Sequence, residues 1–567
     1  MKKIQIKQRP LLTCPEDFQG MLPFIAQILA RRGVASVQEL DLKLKHLLPP
    51  KLKGLQTAIQ LIDAAIDQQQ QIVIVGDYDA DGATSTALML LALRDMGAKV
   101  DYVVPDRFKY GYGLTPKIAD LVQEKYQPKL MITVDNGISS HAGVEQAQQH
   151  GMQVIITDHH LTTKPTPNAD AVVNPNQLGC DFPSKSLAGV GVAFYVLANL
   201  ASLRRQQGKR SSQLTQYLDL VALGTYADVA SLDYNNRILV DAGVQRMRQQ
   251  QCRLGILALL DIAGRDPVEL QAQDLGFVLG PRINAAGRME TMDIGIECLL
   301  AQDAQQAYQL AQQLHQLNQE RRQVESQIKQ DALQTLEQIR LDQEHLPAAL
   351  VMFEPHWHQG VIGIVAGRLK EQFHRPSIIF AADEDGIHLK GSARSIDGVH
   401  IRDAIELVAE RHPHLVRYFG GHAAAAGLTI EKQYFAEFQQ VFNALIAEMD
   451  AQLFEEVLWT DGELPSDALQ LQTLDVLEQL GPWGQKFPLP TFEGTFAVLD
   501  YRWLKERHLK LRLGMENGQS LDAIAFNAID RFEFDPMQMQ VRLVYRLEKN
   551  TFNGATNLQL HIIHLEQ

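Results

Sequence analysis

The segment Val75–Gly82, VGDYDADG, carries aspartates at positions 77, 79 and 81, directly after the apolar run QIVIV and directly before ATSTALMLLALRDMG, which reads as a helix. Alternate residues of an extended chain point the same way, so these carboxylates repel one another and something positive is expected among them. The pattern recurs downstream. The run LMITV ends in Asp135 within VDNG, VIIT ends in Asp158, His159 and His160, and an apolar helix closes on Asp228 in GTYADVA. A single Asp after a strand reads as a turn residue or helix cap. Six converging carboxylates would cost many kcal/mol uncompensated, and divalent cations make such a cluster favourable. Oxygen-rich ligation with one or two imidazoles and no thiolate points to Mn²⁺ or Mg²⁺ rather than structural zinc. The number of carboxylates suggests two ions; a pair about 4 Å apart can lower the pKa of a shared water toward roughly 7 and clamp an in-line phosphoryl displacement. The expected chemistry is hydrolysis of a phosphate ester or anhydride.

Positioning these acids requires an open parallel sheet, whose ligands gather at the carboxyl ends of its strands. From Gln71 to Asn174 the runs IVIV, VDYVV, LMITV, VIIT and AVVN alternate with helical segments such as PKIADLVQEKY and HAGVEQAQQHG, which predicts a doubly wound α/β domain. The near-continuous apolar runs predict strands buried on both faces. A long polar helix follows from about Ala304 to Gln338, with Leu310, Leu314, Leu317, Val324 and Ile328 on one stripe. A second α/β unit begins at AALVMF (Ala348) and runs to about Asp450 with Gly- and His-rich loops. Beyond Pro490 the period changes to two in HLKLRL, LDAIAF, MQVRLVYRLE and NLQLHIIHL, predicting a small β-barrel.

The 567 residues predict roughly 3–5 domains. A net charge of −14 argues against coating nucleic acid or membrane by bulk charge, while leaving room for a local basic groove. Cys14, Cys180, Cys252 and Cys298 form no C-x-x-C pair and read as core thiols. The start MKKIQIKQRP has no apolar stretch behind it, and no run reaches membrane-spanning length, so a soluble cytoplasmic chain is expected.

GDYDADG, VDNG, TDHH and YADV resemble motifs I to IV of the DHH phosphoesterase family, and GGHAAAAG at Gly420 resembles the signature of the DHH-associated domain. GPRINAAGR at Gly280, WHQGVIGIVAGRL at Trp357 and GSARS at Gly391 are similar to the RecJ-type branch, the single-strand-specific 5′→3′ DNA exonucleases. The resemblance implies Asp77, Asp79, Asp81, Asp135, His159 and Asp228 in or against the metal shell. It implies His160 as a catalytic or phosphate-facing group, Asp158 as its orienting partner and Asp135 at the catalytic centre. One departure is notable: some family members begin the first motif with a histidine ligand, whereas Val75 and Gly76 stand here, leaving open which aspartate binds which ion.

Arg394 and Ser392 in GSARS, with Gly421 and His422 in GGHAAAAG, are expected to contact nucleic-acid phosphate. His358 and Arg368 are weaker candidates, and Arg282, Asn284, Arg288, Asn318 and Arg321 are candidates for lining the cleft. In the barrel Trp483, Phe487, Tyr501, Trp503, Lys505, Lys510 and Arg512 interleave aromatics with cations, as an OB-fold does to stack bases. The expected domains are an N-terminal extension (1–60), a DHH catalytic domain (61–300), a connector helix (301–345), a DHH-associated domain (346–452) and an OB-type single-strand-binding domain (453–567). Family-level partners are single-stranded DNA, single-strand-binding protein and a helicase, with the chain a monomer away from membranes. Two other readings compete: a DHH phosphodiesterase of short oligonucleotides or cyclic dinucleotides, and a non-catalytic scaffold at replication forks. The extra barrel favours the exonuclease over the first, and the presence of every acid favours it over the second.

Overall fold

A computed structural model describes residues 4–106, 110, 113–162, 165–342, 346–515, 518–532, 534–535, 537–552 and 554–567. The chain divides into two compact units, one of Met1–Lys7 with Gln316–Leu458, the other of Gln8–His315 with Trp459–Gln567. A short ribbon pairs β1 (Ile4–Gln8) with β12 (Glu456–Thr460).

The larger unit is built on five parallel strands, β2 (Gln71–Val75), β3 (Lys99–Val103), β4 (Leu130–Val134), β5 (Gln153–Thr157) and β6 (Ala171–Val173), in the order β3-β2-β4-β5-β6. Ile72 and Ile74 on one face and Val73 and Val75 on the other are all fully buried, which is why the run is apolar without alternation. The chain leaves β2 toward β3 and leaves β4 toward β5, in opposite directions. The adjacent carboxyl ends of β2 and β4 therefore form the topological switch point where open α/β sheets bind ligands. The helix Ala80–Asp95 that follows β2 is buried from Ala80 through Leu90 and packs against the helices Gly189–Gln206 and Leu218–Ala227. An apolar helix in so dry a place holds its first turn rigidly.

The same unit carries a closed barrel of β13 (Phe492–Leu504), β14 (His508–Gly514), β15 (Ser520–Ala525), β16 (Gln540–Phe552) and β17 (Ala555–Glu566), in the order β13-β14-β15-β17-β16, with β15 and β17 parallel. Leu509, Leu511 and Leu513 fill its interior while Arg512 stays exposed, as the period of two requires. The segment before the barrel corrects the expectation for two aromatics. Trp483 and Phe487 stack on each other with centroids 4.9 Å apart and are 5% and 3% exposed. The Arg237 guanidinium lies 4.1 Å from the Phe487 ring, and the Tyr226 hydroxyl donates to the Trp483 carbonyl at 2.8 Å. These rings join the barrel's leader to the catalytic half of the unit and have no face left for a base.

The smaller unit holds β7 (Leu350–Phe353), β8 (Ser377–Ala382), β9 (His388–Arg394), β10 (Tyr418–Gly421) and β11 (Ala425–Glu431), ordered β10-β11-β9-β8-β7. Only the β7–β8 pair is parallel. Its core centres on Phe380, Phe438, Phe442 and Ile446.

The long helix runs from Ala304 to Asp342. Its buried seam passes through Ala307, Ala311, Leu314, Asn318, Arg321, Ile328, Ala332 and Leu336, so Leu310, Leu317 and Val324 lie at its edge rather than on it. The expected stripe is thus offset by about one residue, because small alanines and a polar pair occupy the centre. Arg321 donates to Asn318 Oδ1 at 3.1 and 3.2 Å and to Glu325 at 2.7 Å. Glu325 also receives Arg368 at 3.0 Å, which assigns Arg368 an ion-pair role. Cys180 and Cys298 are buried as expected, whereas Cys14 is exposed and Cys252 half-buried.

Because Phe487 is enclosed by Trp483 and Arg237, Phe487→Ala is expected to lower unfolding stability by about 3–5 kcal/mol, the usual cost of emptying an aromatic site. Denaturant midpoints check this; an unchanged midpoint with weakened strand binding would restore the ring to a base platform.

Candidate metal centre

Asp79, Asp81, Asp135 and Asp228 are placed by specific backbone contacts and turns. Asp79 caps the helix Ala80–Asp95, its Oδ1 accepting from the amides of Asp81 and Gly82 at 3.0 Å each. The Ala80 amide donates to Asn284 Oδ1 at 2.8 Å, which gives Asn284 a positioning contact with the first motif. A Cβ on Gly287, one turn on, would lie 2.0 Å from the Tyr78 carbonyl oxygen, so only glycine lets that helix approach so closely. Asp81 turns into the interior and accepts from the amides of Gly189 and Val190, at 2.6 and 2.8 Å, at the N-terminus of the helix Gly189–Gln206. Asp135 follows β4 with φ of +60°, a conformation non-glycine residues seldom adopt. Asp228 caps the C-terminus of the helix Leu218–Ala227, and Val229 beyond it has φ of +58°, strained for a β-branched residue.

Asp158 has a different task from its neighbours. Its Oδ1 accepts from the amides of His159 and His160 and lies 2.7 Å from His160 Nδ1, while Oδ2 accepts from the Ile138 amide. Both oxygens are thus engaged by the protein, and the residue orients His160.

The side chains meet around His159. Its Nε2 lies 3.0 Å from Asp135 Oδ1 and 3.8 Å from both Asp81 Oδ2 and Asp228 Oδ2. Three sets offer ligand atoms within 4.8 Å of one another: Asp81, His159 and Asp228; Asp77, Asp79 and Asp135; and Asp135, His159 and His160. Asp135 Oδ1 and His159 Nε2 are buried and make no hydrogen bond. Two orphaned ligand atoms aimed at the same space, among carboxylates, fit a divalent cation.

The protonation pattern of the cation-free cluster shows the same tension. Burial, then Asp79, pushes Asp81 up to about 7. Burial and the surrounding aspartates raise Asp135 and Asp228 well above the carboxylate range. Burial, then the charge of His160, lowers His159 to about 4, leaving a neutral imidazole suited to ligation. His160 resists its own desolvation through Asp158 and is raised to about 9, so it is a cation at neutral pH. Asp158 stays depressed: its burial is outweighed by His160 and the amides it accepts.

The sequence profile of the DHH family N-terminal domain matches residues 71–225, that of the DHHA1 domain residues 346–448, and that of the RecJ OB domain residues 460–564. A single-stranded-DNA-specific exonuclease RecJ of Dickeya dadantii (strain 3937) is 49% identical over 99% of both chains. The chain belongs to the RecJ branch of the DHH family. The crystal structure of RecJ in complex with Mn²⁺ from Thermus thermophilus is 30% identical, covers all of this chain and 79% of its own, and superposes with a TM-score of 0.83. The Mg²⁺ complex of that protein is 29% identical, covers all of this chain and 78% of its own, and gives 0.77. The fold class read from the sequence, a parallel-sheet DHH domain, a second α/β domain and an OB-type barrel, is that of this branch.

The remaining candidates fall in three places. In the smaller unit Arg394 and Ser392 end β9, opposite Ala425 and Gly427 of β11, and Gly421 and His422 form the turn joining β10 to β11, so the four share one end of that sheet. Gly421 has φ of +144°, and a Cβ there would meet the Ala425 carbonyl at 2.4 Å. A Cβ on Gly363 would lie 2.8 Å from the Ser392 hydroxyl and 3.1 Å from an Arg394 nitrogen, so the start of the helix Ile362–Phe373 borders the same spot. His358 accepts from the Gly360 amide just before that helix. In the larger unit Arg282 is buried and donates to the Val278 carbonyl at 2.6 Å and to His315 at 3.3 Å, a helix-tethered Arg rather than an open one. Arg288 is half-buried on the same helix. Trp503 is half-buried near the end of β13, beside exposed Tyr501 and Lys505, while Lys510 pairs with Asp522. Sequence reading missed Gly189 and Gly224, where a Cβ would collide with Asp135 and with Asp81 and Thr84 respectively; the small residues in LAGVGV and VALGTY were the available signal.

A pH dependence follows. Without metal, Asp81, Asp135 and Asp228 keep protons that the unfolded chain releases near its ordinary carboxyl range. Stability therefore falls as pH rises from about 4 through about 7, and depressed His159 opposes this with a single proton below about 6.5. Melts in EDTA should show a lower midpoint at about pH 7.5 than at about pH 5.5, and Mn²⁺ should raise the midpoint more at the higher value. Equal gains at both values would contradict a carboxylate site.

Proposed function

We propose that the chain is a divalent-metal-dependent exonuclease that hydrolyses the phosphodiester bonds of single-stranded DNA from a free 5′ end, 5′→3′, in DNA repair and recombination. The observation that carries this reading is the orphaned pair Asp135 Oδ1 and His159 Nε2 inside an acidic cluster at the switch point of a DHH-family sheet. The name and substrate class of the RecJ relatives support the choice of single-stranded DNA; the direction rests on the likeness of the motifs to that branch.

Asp77, Asp79, Asp81, Asp135, His159 and Asp228 are the groups to hold two ions, with Asp135 belonging to two of the ligand sets. Mn²⁺ or Mg²⁺ bound there supplies Lewis-acid activation of water and neutralises phosphoryl charge. The protein's own part is orientation and proton placement. Asp158 fixes the His160 ring, and a protonated His160 would face the negative charge that develops on the leaving oxygen as its bond to phosphorus breaks. Asp79, tied to the helix N-terminus, keeps the first-motif carboxylates from drifting apart.

The division into an N-terminal extension, catalytic domain, connector, DHH-associated domain and barrel, with the boundaries expected from the sequence, is part of this proposal. Arg394, Ser392, Gly421 and His422 are assigned to phosphate contacts. Arg288 is assigned to the strand's path, with Arg282, bonded to the Val278 carbonyl, steadying the helix that carries it. Trp503 is the barrel's stacking residue, supported by its basic surroundings. Single-strand-binding protein and a helicase are the expected partners of a monomeric cytoplasmic enzyme. Among the described residues no helix is long and apolar enough to cross a membrane.

Asp135→Asn should reduce turnover by more than about a hundredfold, beyond the 10–100-fold typical of outer-shell changes, while single-strand binding persists. Near-normal turnover by the purified variant would remove the acidic cluster from the reaction. Product analysis on labelled substrates tests polarity: linear single strands should shorten from the 5′ end, and single-stranded circles and blunt duplexes should resist. Comparable cutting of circles would return the protein to the wider phosphodiesterase class.

A further inference from the structure

Away from the acidic cluster, the larger unit brings four arginines, Arg9, Arg31, Arg32 and Arg546, close to one buried acid, Asp461. Asp461 is completely engaged: Arg32 grips it with two bonds of 2.7 and 2.9 Å, and the Thr491 amide donates to it at 3.0 Å. Arg32 spends its other N–H groups on the carbonyls of Pro488 and Ile28 at 2.8 and 2.7 Å, and both side chains of the pair are essentially inaccessible. That pair is closed and neutral.

Three more arginines lie close to it. Arg9 is held beside the pair by its amide, which donates to the Thr460 carbonyl at 2.8 Å. Arg31 directly precedes Arg32 at the end of the helix Pro23–Ala30. Arg546, on β16, donates from Nε to the Thr491 hydroxyl at 3.3 Å. The charged neighbours of Arg9 are Asp461 and the three arginines 32, 546 and 31. Nε of Arg9 and Nε of Arg31 are buried without an acceptor. Among the described residues, Arg9, Arg31 and Arg546 make no ion pair, and of the nearby acids Glu493 bonds Arg542 and Thr460 and Glu548 bonds His561, while Glu463 is exposed. Burial lowers the pKa of both Arg9 and Arg546; at Arg9 Asp461 opposes this while the other arginines add to it, and at Arg546 Glu548 opposes it.

Like charges brought together and partly dried are unfavourable unless an anion joins them. Guanidinium forks match the oxygens of a tetrahedral phosphate, which can accept from several at once. The groups come from the N-terminal segment, the first helix and a barrel strand, where the barrel's first strand leaves Thr491. We infer that Arg9, Arg31 and Arg546 form a phosphate site at the root of the barrel, filled by a backbone phosphodiester of the bound single strand. The strand as source rests on the exonuclease reading; free inorganic phosphate offers the same chemistry.

The test uses the full chain in EDTA, so that nothing is cleaved, with Arg9→Gln, Arg546→Gln, the double variant and Arg9→Lys. Affinity for a labelled oligothymidylate of about 30 nucleotides should fall about tenfold in the double variant, as expected for losing hydrogen bonds to a charged group. The slope of log affinity against log salt should shrink by about 0.7, the share of one single-strand phosphate, and Arg9→Lys should retain the slope. Inorganic phosphate should raise the melting midpoint of the parent chain and not of the double variant. If that shift occurs while strand affinity and slope are unchanged, the site stands and its source is free phosphate. If folded variants keep both strand affinity and the phosphate shift, the arginines are packing elements and the inference is overturned. Should the parent chain fail to bind single strands at all, the exonuclease reading fails, and the phosphate shift still decides the site.

Discussion

The larger unit is organised around carboxylates that repel one another in a largely buried crevice. Asp81, Asp135 and Asp158 are all but inaccessible, and in a dry interior such charges are tolerated only when paired or bridged. The fold deals with them in three ways. Asp158 is satisfied outright by amides and His160; Asp81 sits on a helix N-terminus; Asp135 and His159 are left with unmatched atoms for a cation. This division of labour separates Asp158, which orients His160, from the acids we propose as ligands.

The sheet makes that convergence unavoidable. Parallel strands bring every carboxyl end to one edge, and reversal of winding between β2 and β4 opens the crevice there. Close backbone approach then shapes it: Gly189 lies where any side chain would strike Asp135, and Gly287 lets its helix reach the first-motif turn. The left-handed conformations of Asp135 and Val229 are local strain retained at the ligand positions, as over-determined functional sites often show.

Much of this was legible in the chain. Short apolar runs, three of them (β2, β4 and β5) leading at once or after one glycine into an acid, gave both the parallel sheet and the place where its acids meet, because strand burial and ligand position are set by the same topology. The barrel announced itself through alternation, as at Leu509, Leu511 and Leu513. What could not be read was long-range packing. Trp483 and Phe487 look like a stacking platform in a basic, aromatic stretch, yet Arg237 and Tyr226, some 250 residues earlier, enclose them. The seam of the long helix is offset because Ala307, Ala311 and Ala332 are buried by neighbours that no hydropathy pattern names. The amides that hold Asp81 belong to a helix more than a hundred residues away, so its first-motif spacing alone could not separate it from Asp79.

The central claim is that the orphaned atoms of Asp135 and His159 face a divalent cation. Anomalous scattering from crystals grown with Mn²⁺ tests it most directly. The account predicts a manganese peak bonded to both Asp135 and His159, at the usual distance of about 2.2 Å for such ligands. Ordered side chains with no manganese at either atom, or manganese only on surface carboxylates, would contradict it.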